Sequence, residues 1–147
     1  MEMIQLYLVV VTLATAHAAC TFPSGLQGTW TTENDAITVN STHLSGFSVD
    51  IYQHLDFTCF LTNGNNYAMK SSHKEMLFGQ EVYIFICWEL VAESSDVCRF
   101  YELARHVSES SPDKARAFFP GNSPPMSSIC QESDDGTISP RYLRKTT

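Results

Sequence analysis

The sequence predicts a mainly β protein: a small antiparallel β-barrel or sandwich with one short C-terminal helix, braced by disulfides. Three observations carry this expectation. About seven short β-prone segments follow one another between turn formers, as in all-β domains. One of them, Glu81–Val91, is apolar on both alternating faces, the pattern of a buried central strand. Five cysteines follow an apolar leader, which is the usage of an exported, disulfide-bonded chain.

The 147 residues suit one domain. With 12% aromatic and 17% charged residues, the composition is that of a globular chain and not of a disordered one. A net charge of −7 argues against nucleic acid, whose phosphates require a basic face. Residues 1–18 read as a secretory signal peptide: Ile4–Ala14 is apolar and Ala16-His17-Ala18 fits the cleavage pattern, although the front carries Glu2 and no Lys or Arg. The apolar run falls short of the ~20 residues a membrane span needs. The expected organisation is therefore a leader over 1–18, a single secreted β-rich domain over 19–130, and a disordered polar tail over 131–147.

The strands are read in order. Pro23 and Gly25 make an irregular entry to Trp30-Thr31-Thr32, and Glu33-Asn34-Asp35 turns into Ala36–Val39. Asn40-Ser41-Thr42 is a glycosylation sequon placed in a turn. Phe47–Tyr52 alternates with Phe47, Val49 and Ile51 on one face, and Phe57–Leu61 follows. Asn63–Asn66 is a turn signal that returns Tyr67–Lys70 antiparallel. Lys74–Phe78 begins another strand, with a turn or bulge at Gly79-Gln80. In Glu81–Val91, Val82, Ile84, Ile86, Trp88 and Leu90 share one face, and Tyr83, Phe85 and Cys87 the other. Val97–Val107 reads as the strand paired with it across Ala92–Asp96, with a helix as the alternative. Ser111-Pro112-Asp113 has the chemistry of a helix start, and Lys114–Phe119 would continue it to Pro120-Gly121.

Cys20, Cys59, Cys87, Cys98 and Cys130 are the disulfide candidates. Five is odd, so two bridges leave one thiol, or one cysteine makes an intermolecular bridge and a disulfide-linked dimer. A hairpin centred on Ser94-Ser95 sets Cys87 opposite Glu102 and Cys98 opposite Val91. That places the two cysteines about 13 Å apart along the sheet, too far to join. Cys20–Cys130, tying the two ends of the domain, is the favoured pair, with connectivity otherwise open.

Cys20-Thr21-Phe22-Pro23 followed by Gly28-Thr29-Trp30 resembles the opening of a secreted domain family of unknown function found in extracellular proteins of insects and other invertebrates. The resemblance runs from Cys20 to Cys130. It implies export and disulfide bonding, and it supplies no catalytic residue. It also implies a cysteine just after Gly46, where this chain has Phe47. Gly28-Thr29-Trp30 is similar, too, to the first strand of lipocalins and avidins, whose tryptophan closes one end of a barrel. That implies an apolar cavity, with Trp30, Trp88, Phe47, Ile84 and Ile86 as pocket or core residues.

Catalytic and metal chemistry finds little in the sequence. His43, His54, His73 and His106 lack metal-ligand spacing, and no C-x-x-C or G-x-S-x-G is present. Glu33/Asp35 and Asp134/Asp135 read as solvated carboxylates in a turn and in the tail. The basic residues Arg141, Arg144 and Lys145 are too few for a heparin or membrane patch. The expectation is an extracellular, non-enzymatic binding domain without cofactor, catalytic residue or metal, whose partner is an extracellular protein; the alternative is a carrier of a small apolar ligand.

Overall fold

Alternating apolar side chains separated by turn formers fold this chain into a sequence of strands. A computed structural model describes residues 20–49, 51–104, 114–130 and 138–146. The leader lies outside them, as do the expected helix start at 111–113 and the residues 131–137. A single 3-10 turn at Ser24–Leu26 precedes β1 (Gly28–Thr31), β2 (Ala36–Val39), β3 (His43–Val49), β4 (Tyr52–Asn63) and β5 (Asn66–Ser71). Then come β6 (Glu75–Leu77), β7 (Gln80–Ala92), β8 (Val97–Glu102), β9 (Arg116–Phe118), helix α1 (Met126–Ile129) and β10 (Arg141–Lys145).

Eight strands close an antiparallel barrel in the order β1-β2-β3-β4-β5-β7-β8-β10, with β10 paired back to β1. Closure leaves these strands no free edge. β6 and β9 add short ladders to the two sides of the first half of β7. Of the two expected architectures, the barrel is the one formed.

The two faces of β7 divide the apolar residues as the sequence implies. Val82, Ile84, Ile86, Trp88 and Leu90 join Trp30, Phe47, Phe57, Met69, Phe100 and Leu143 inside the barrel. Phe85 and Cys87 face outward and are covered by Leu103, Ala104, Ile129 and Cys130. Inside, the Trp88 ring lies 4.2 Å from Phe100 and 4.9 Å from Phe47, so the proposed pocket residues are packed side chains of the core.

Local backbone follows turn chemistry. Asn63 pairs with Asn66 around Gly64 at φ +61°. Leu77 pairs with Gln80 around Phe78 (φ +50°) and Gly79 (φ +78°), the two positive dihedrals of a type I′ hairpin. Gly46, at a bulge in β3, is required twice over: its φ is +95°, and a Cβ there would lie 2.4 Å from the Ala36 carbonyl oxygen.

Several expectations are corrected. The tail is not disordered throughout, because Arg141–Lys145 is a barrel strand between β1 and β8. Lys114–Phe119 is not helical: Arg116–Phe118 pairs with Tyr83–Phe85, and Phe118 packs edge-on against Phe85 at 5.3 Å. The short helix lies later, at Met126–Ile129. Ile51 is 78% exposed in the β3–β4 turn and does not share the buried face of Phe47 and Val49. The β7–β8 register is one residue from that expected, with Trp88 and not Cys87 opposite Glu102.

The bridges are Cys20–Cys59 and Cys87–Cys130, each with Cα atoms 5.5 Å apart, and not Cys20–Cys130. Cys20 reaches β4, because the Phe22 N–H bonds to the Ser41 carbonyl and lays the entry segment beside the β2–β3 turn. Cys130 lies on the opposite, outer face of β7, where it fastens α1. Cys98 is the free thiol, 7% exposed on the interior face of β8. Burial pushes its pKa up. A disulfide-linked dimer therefore has no accessible handle at Cys98.

Two outcomes follow. Non-reducing peptide mapping will recover Cys20–Cys59 and Cys87–Cys130, with Cys98 alkylated only after denaturation. Replacing Cys87 and Cys130 together by serine will lower urea-unfolding stability by about 2–4 kcal/mol.

Candidate functional site

The barrel has two unlike ends. At one, Leu26 and Trp30 form a plug: the Trp30 Nε1–H donates to the Leu26 carbonyl at 2.6 Å, both side chains are buried, and the Lys145 ammonium lies 5.5 Å from the Trp30 ring. The β2–β3, β4–β5 and β7–β8 turns share this end. The other end carries the β1–β2 and β3–β4 turns, the beginning of β7 and the junctions of β8 and β10. Its strands diverge around a polar cleft of ≈ 770 Å³ lined in part by Glu33, Asp35, Ser48, His54, Lys114 and Arg141.

Arg141 organises the cleft. Its Nη1 donates to Glu102 Oε1 at 2.8 Å, while Nε and Nη2 donate to the two Glu33 oxygens at 3.2 and 3.3 Å. The guanidinium also lies over the Phe100 and Phe47 rings, at 5.4 and 5.5 Å, and so stands between the cleft and the buried aromatic core. Glu102 is 5% exposed and takes a second cation, Lys114, at 3.7 Å. The hydrogen bonds from Arg141 hold the Glu33 carboxyl below its usual value of 4.5. Burial works to lower the Arg141 pKa, but its bonds to Glu33 and Glu102 outweigh that and raise it.

A second node sits at Asp35, also buried. Its carboxylate accepts from the Ser48 N–H and hydroxyl, each at 2.9 Å, and lies 3.7 Å from His54 Nδ1. His54 occupies a bulge in β4 at φ +56°, and its N–H donates to Ser48 Oγ at 3.0 Å. These are the residue types of a nucleophilic triad wired differently. The hydroxyl donates to the carboxylate and not to the imidazole, so nothing prepares Ser48 to attack. Asp35 and Ser48 instead tie the β1–β2 turn to β3.

Exposed apolar side chains lie on the elements of the same end. Among the described residues, the exposed large hydrophobics are Ile51, Met76, Phe78 and Phe119. Ile51 is in the β3–β4 turn and Met76 and Phe78 are on the β6–β7 hairpin. Phe119 follows β9, beside the start of β7. Phe78 and Phe119 line an apolar groove with Leu77, Val82 and Phe118, separate from the polar cleft. The Tyr52 hydroxyl joins two of these turns by donating to the Met76 carbonyl at 2.8 Å.

The site differs from the one expected. Trp30, Trp88, Phe47, Ile84 and Ile86 are together inside the barrel, as core. Of the two turn carboxylates, Glu33 is exposed as expected but bound by Arg141, whereas Asp35 is buried and not solvated. In the sequence Arg141 stands only as one of three tail cations, and Glu102 has no candidate role. The available signal was the alternation Arg141-Leu143-Lys145, one face of a strand concealed by its charges. Asn40 is exposed in the β2–β3 turn at the plugged end, where its Oδ1 accepts the N–H groups of Thr42 and His43. No group of three or more metal-binding side chains occurs among the described residues, and no helix there is long and apolar enough to cross a membrane. No protein-family description, curated protein or solved structure matches the chain.

Arg141→Ala will cost about 3 kcal/mol in urea unfolding, because it removes the hydrogen-bonded partner of buried Glu102 and leaves it only the more distant, half-exposed Lys114. Glu33 has a depressed folded pKa, so its contribution is present above 4.5 and is lost as pH falls through the folded value. The stability advantage of the wild type over Glu33→Gln will therefore be largest at neutral pH and will shrink below 4.5 in unfolding curves.

Proposed function

We propose that this protein is an extracellular, non-enzymatic binding domain that engages its partner with the open end of the barrel. The observation that carries the reading is that Ile51, Met76, Phe78 and Phe119 are all exposed on the turns and ladders of the open end, Phe78 and Phe119 lining one apolar groove with Leu77, Val82 and Phe118. Scattered exposed apolar residues are ordinary; a set gathered at one end marks an interaction surface. Phe78 adds weight, because it is 97% exposed and holds a positive φ that Asn or Gly would adopt more cheaply.

Other features support the reading. The two disulfides and the signal-like leader suit an extracellular setting. Asn40 lies at the plugged end, so a glycan there leaves the rim uncovered. The non-enzymatic part is supported by the wiring of Asp35, Ser48 and His54 and by the buried, protonated Cys98 thiol.

A second reading, a carrier of a small apolar ligand, is favoured by one observation. An apolar pocket of ≈ 480 Å³ lies at the plugged end, lined in part by Leu26, Trp30, Tyr67, Leu90 and Cys98.

Native mass spectrometry of protein secreted from a eukaryotic host tests the proposal, with Phe78→Ser alongside the wild type. The expected result is a wild-type complex with a co-secreted macromolecule or a second copy that is lost in Phe78→Ser, with the circular dichroism unchanged. A bare monomer for both proteins contradicts the interaction reading, and a small-molecule adduct retained by both favours the carrier.

A further inference from the structure

The two ends of the barrel treat the cations of β10 differently. Arg141, Leu143 and Lys145 alternate along one face of that strand, and Leu143 is fully buried between the two charges. Arg141 is held by Glu33 and Glu102 at the open end. Lys145, at the plugged end, has no carboxylate partner among the described residues. Its direction is set by the backbone. Lys145 stands opposite Trp30 across the β1–β10 ladder, where opposed side chains share a face, and its N–H bonds to the Asp96 carbonyl. The ammonium thus lies 5.5 Å from the Trp30 ring, on the wall of the apolar pocket at this end. At ≈ 480 Å³ the pocket falls within the size of small-molecule sites, about 300–1,000 Å³. Leu26, Trp30, Leu90 and Cys98 are its buried wall. Asn65, Ser95 and Lys145 are exposed, so the pocket meets solvent directly. Lys145 is the one charged residue that lines it.

We infer that this pocket binds a single-chain amphiphile with an anionic head, its chain against Leu26, Trp30 and Leu90 and its head on the Lys145 ammonium; this rests on the small-ligand reading above. The chain is apolar because the buried wall is, and covering that wall removes apolar surface from water. The head is anionic because an ammonium has three donors and no acceptor, and a charged acceptor makes the stronger bond. Lys145 is exposed, so the ion pair forms at the pocket mouth and neither charge has to be buried. The Asn65 amide and Ser95 hydroxyl line the same mouth with uncharged donors. Glu93, in the neighbouring β7–β8 turn, is held 3.3 Å from Arg99 and does not compete for Lys145.

The test uses the intact, oxidised, ¹⁵N-labelled protein and the probe pair decanoate and 1-decanol, below their aggregation concentrations at neutral pH. Each tryptophan gives one indole N–H resonance, assigned through contacts of Trp88 with Phe100. The expected result is that decanoate shifts the Trp30 indole resonance saturably, leaves that of Trp88 in place, and binds at least tenfold more tightly than decanol. In Lys145→Gln the affinity for decanoate will fall at least tenfold and that for decanol will stay. Ala92→Trp, which sets a ring in the pocket mouth from an exposed position, will abolish binding of both. Equal saturable binding of the two probes by the wild type overturns the anionic head and the role of Lys145 while leaving the small-ligand reading intact. Saturable binding of neither overturns both, and the wild-type titration decides this even where a variant fails to fold. Decanoate binding that survives Ala92→Trp, or that moves Trp88 and not Trp30, overturns the pocket as its site.

Discussion

The structure depends on one strand that the composition hides. β10 enters between β1 and β8, and without it the sheet would be an open strip with two unpaired edges. It is anchored at both ends by different physics. Leu143 is fully buried in the core, Lys145 lies over the plug tryptophan, and Arg141 is clasped by Glu33 and Glu102 while resting on two phenylalanine rings. A buried ion pair of this kind adds little net stability over an apolar replacement, because desolvation offsets much of the attraction. Its consequence is geometric: only one register of β10 brings Arg141 within reach of both Glu102 and Glu33, so that register is specified.

That closure creates the asymmetry on which the functional reading stands. At the plugged end, Trp30 and the 3-10 turn pack beneath the short turns and leave only a small apolar pocket of ≈ 480 Å³. The long connections, β5 to β7 and β8 to β10, fall at the other end and carry the extra ladders of β6 and β9. The open end thereby carries the polar cleft, and the exposed large apolar side chains lie on its turns and extra ladders. The Cys87–Cys130 bridge holds α1 against the outer face of β7, so these additions rest on a braced wall. The Cys20–Cys59 bridge does the corresponding work for the entry segment beside β4.

The strands with strong alternation were legible from residues alone. β7 has its two faces as expected, and the Asn63–Asn66 and Ala92–Asp96 turns lie where their residues place them. Legibility failed where tertiary contacts override local preference. Lys114–Phe119 has helix-forming chemistry, yet Phe118 gains more by packing on Phe85 beside β7. Ile51 continues an alternating pattern, but the hairpin turns one residue earlier and sends it outward. The cleft could not be anticipated, because Glu33, Glu102 and Arg141 are separated by most of the chain and meet only when the barrel closes. The disulfides depended on the same closure, since no spacing rule tells Cys130 that it will cover β7.

The account rests on the barrel being closed by the C-terminal strand, and amide hydrogen exchange of residues 141–146 tests this most directly. The Lys145 and Thr146 N–H groups bond to the Asp96 and Thr29 carbonyls at 2.8 and 3.0 Å, so protection comparable with that of β8 is predicted. Exchange of this segment at the rate of a free polar tail, while β7 and β8 stay protected, would contradict closure and with it the open-end site.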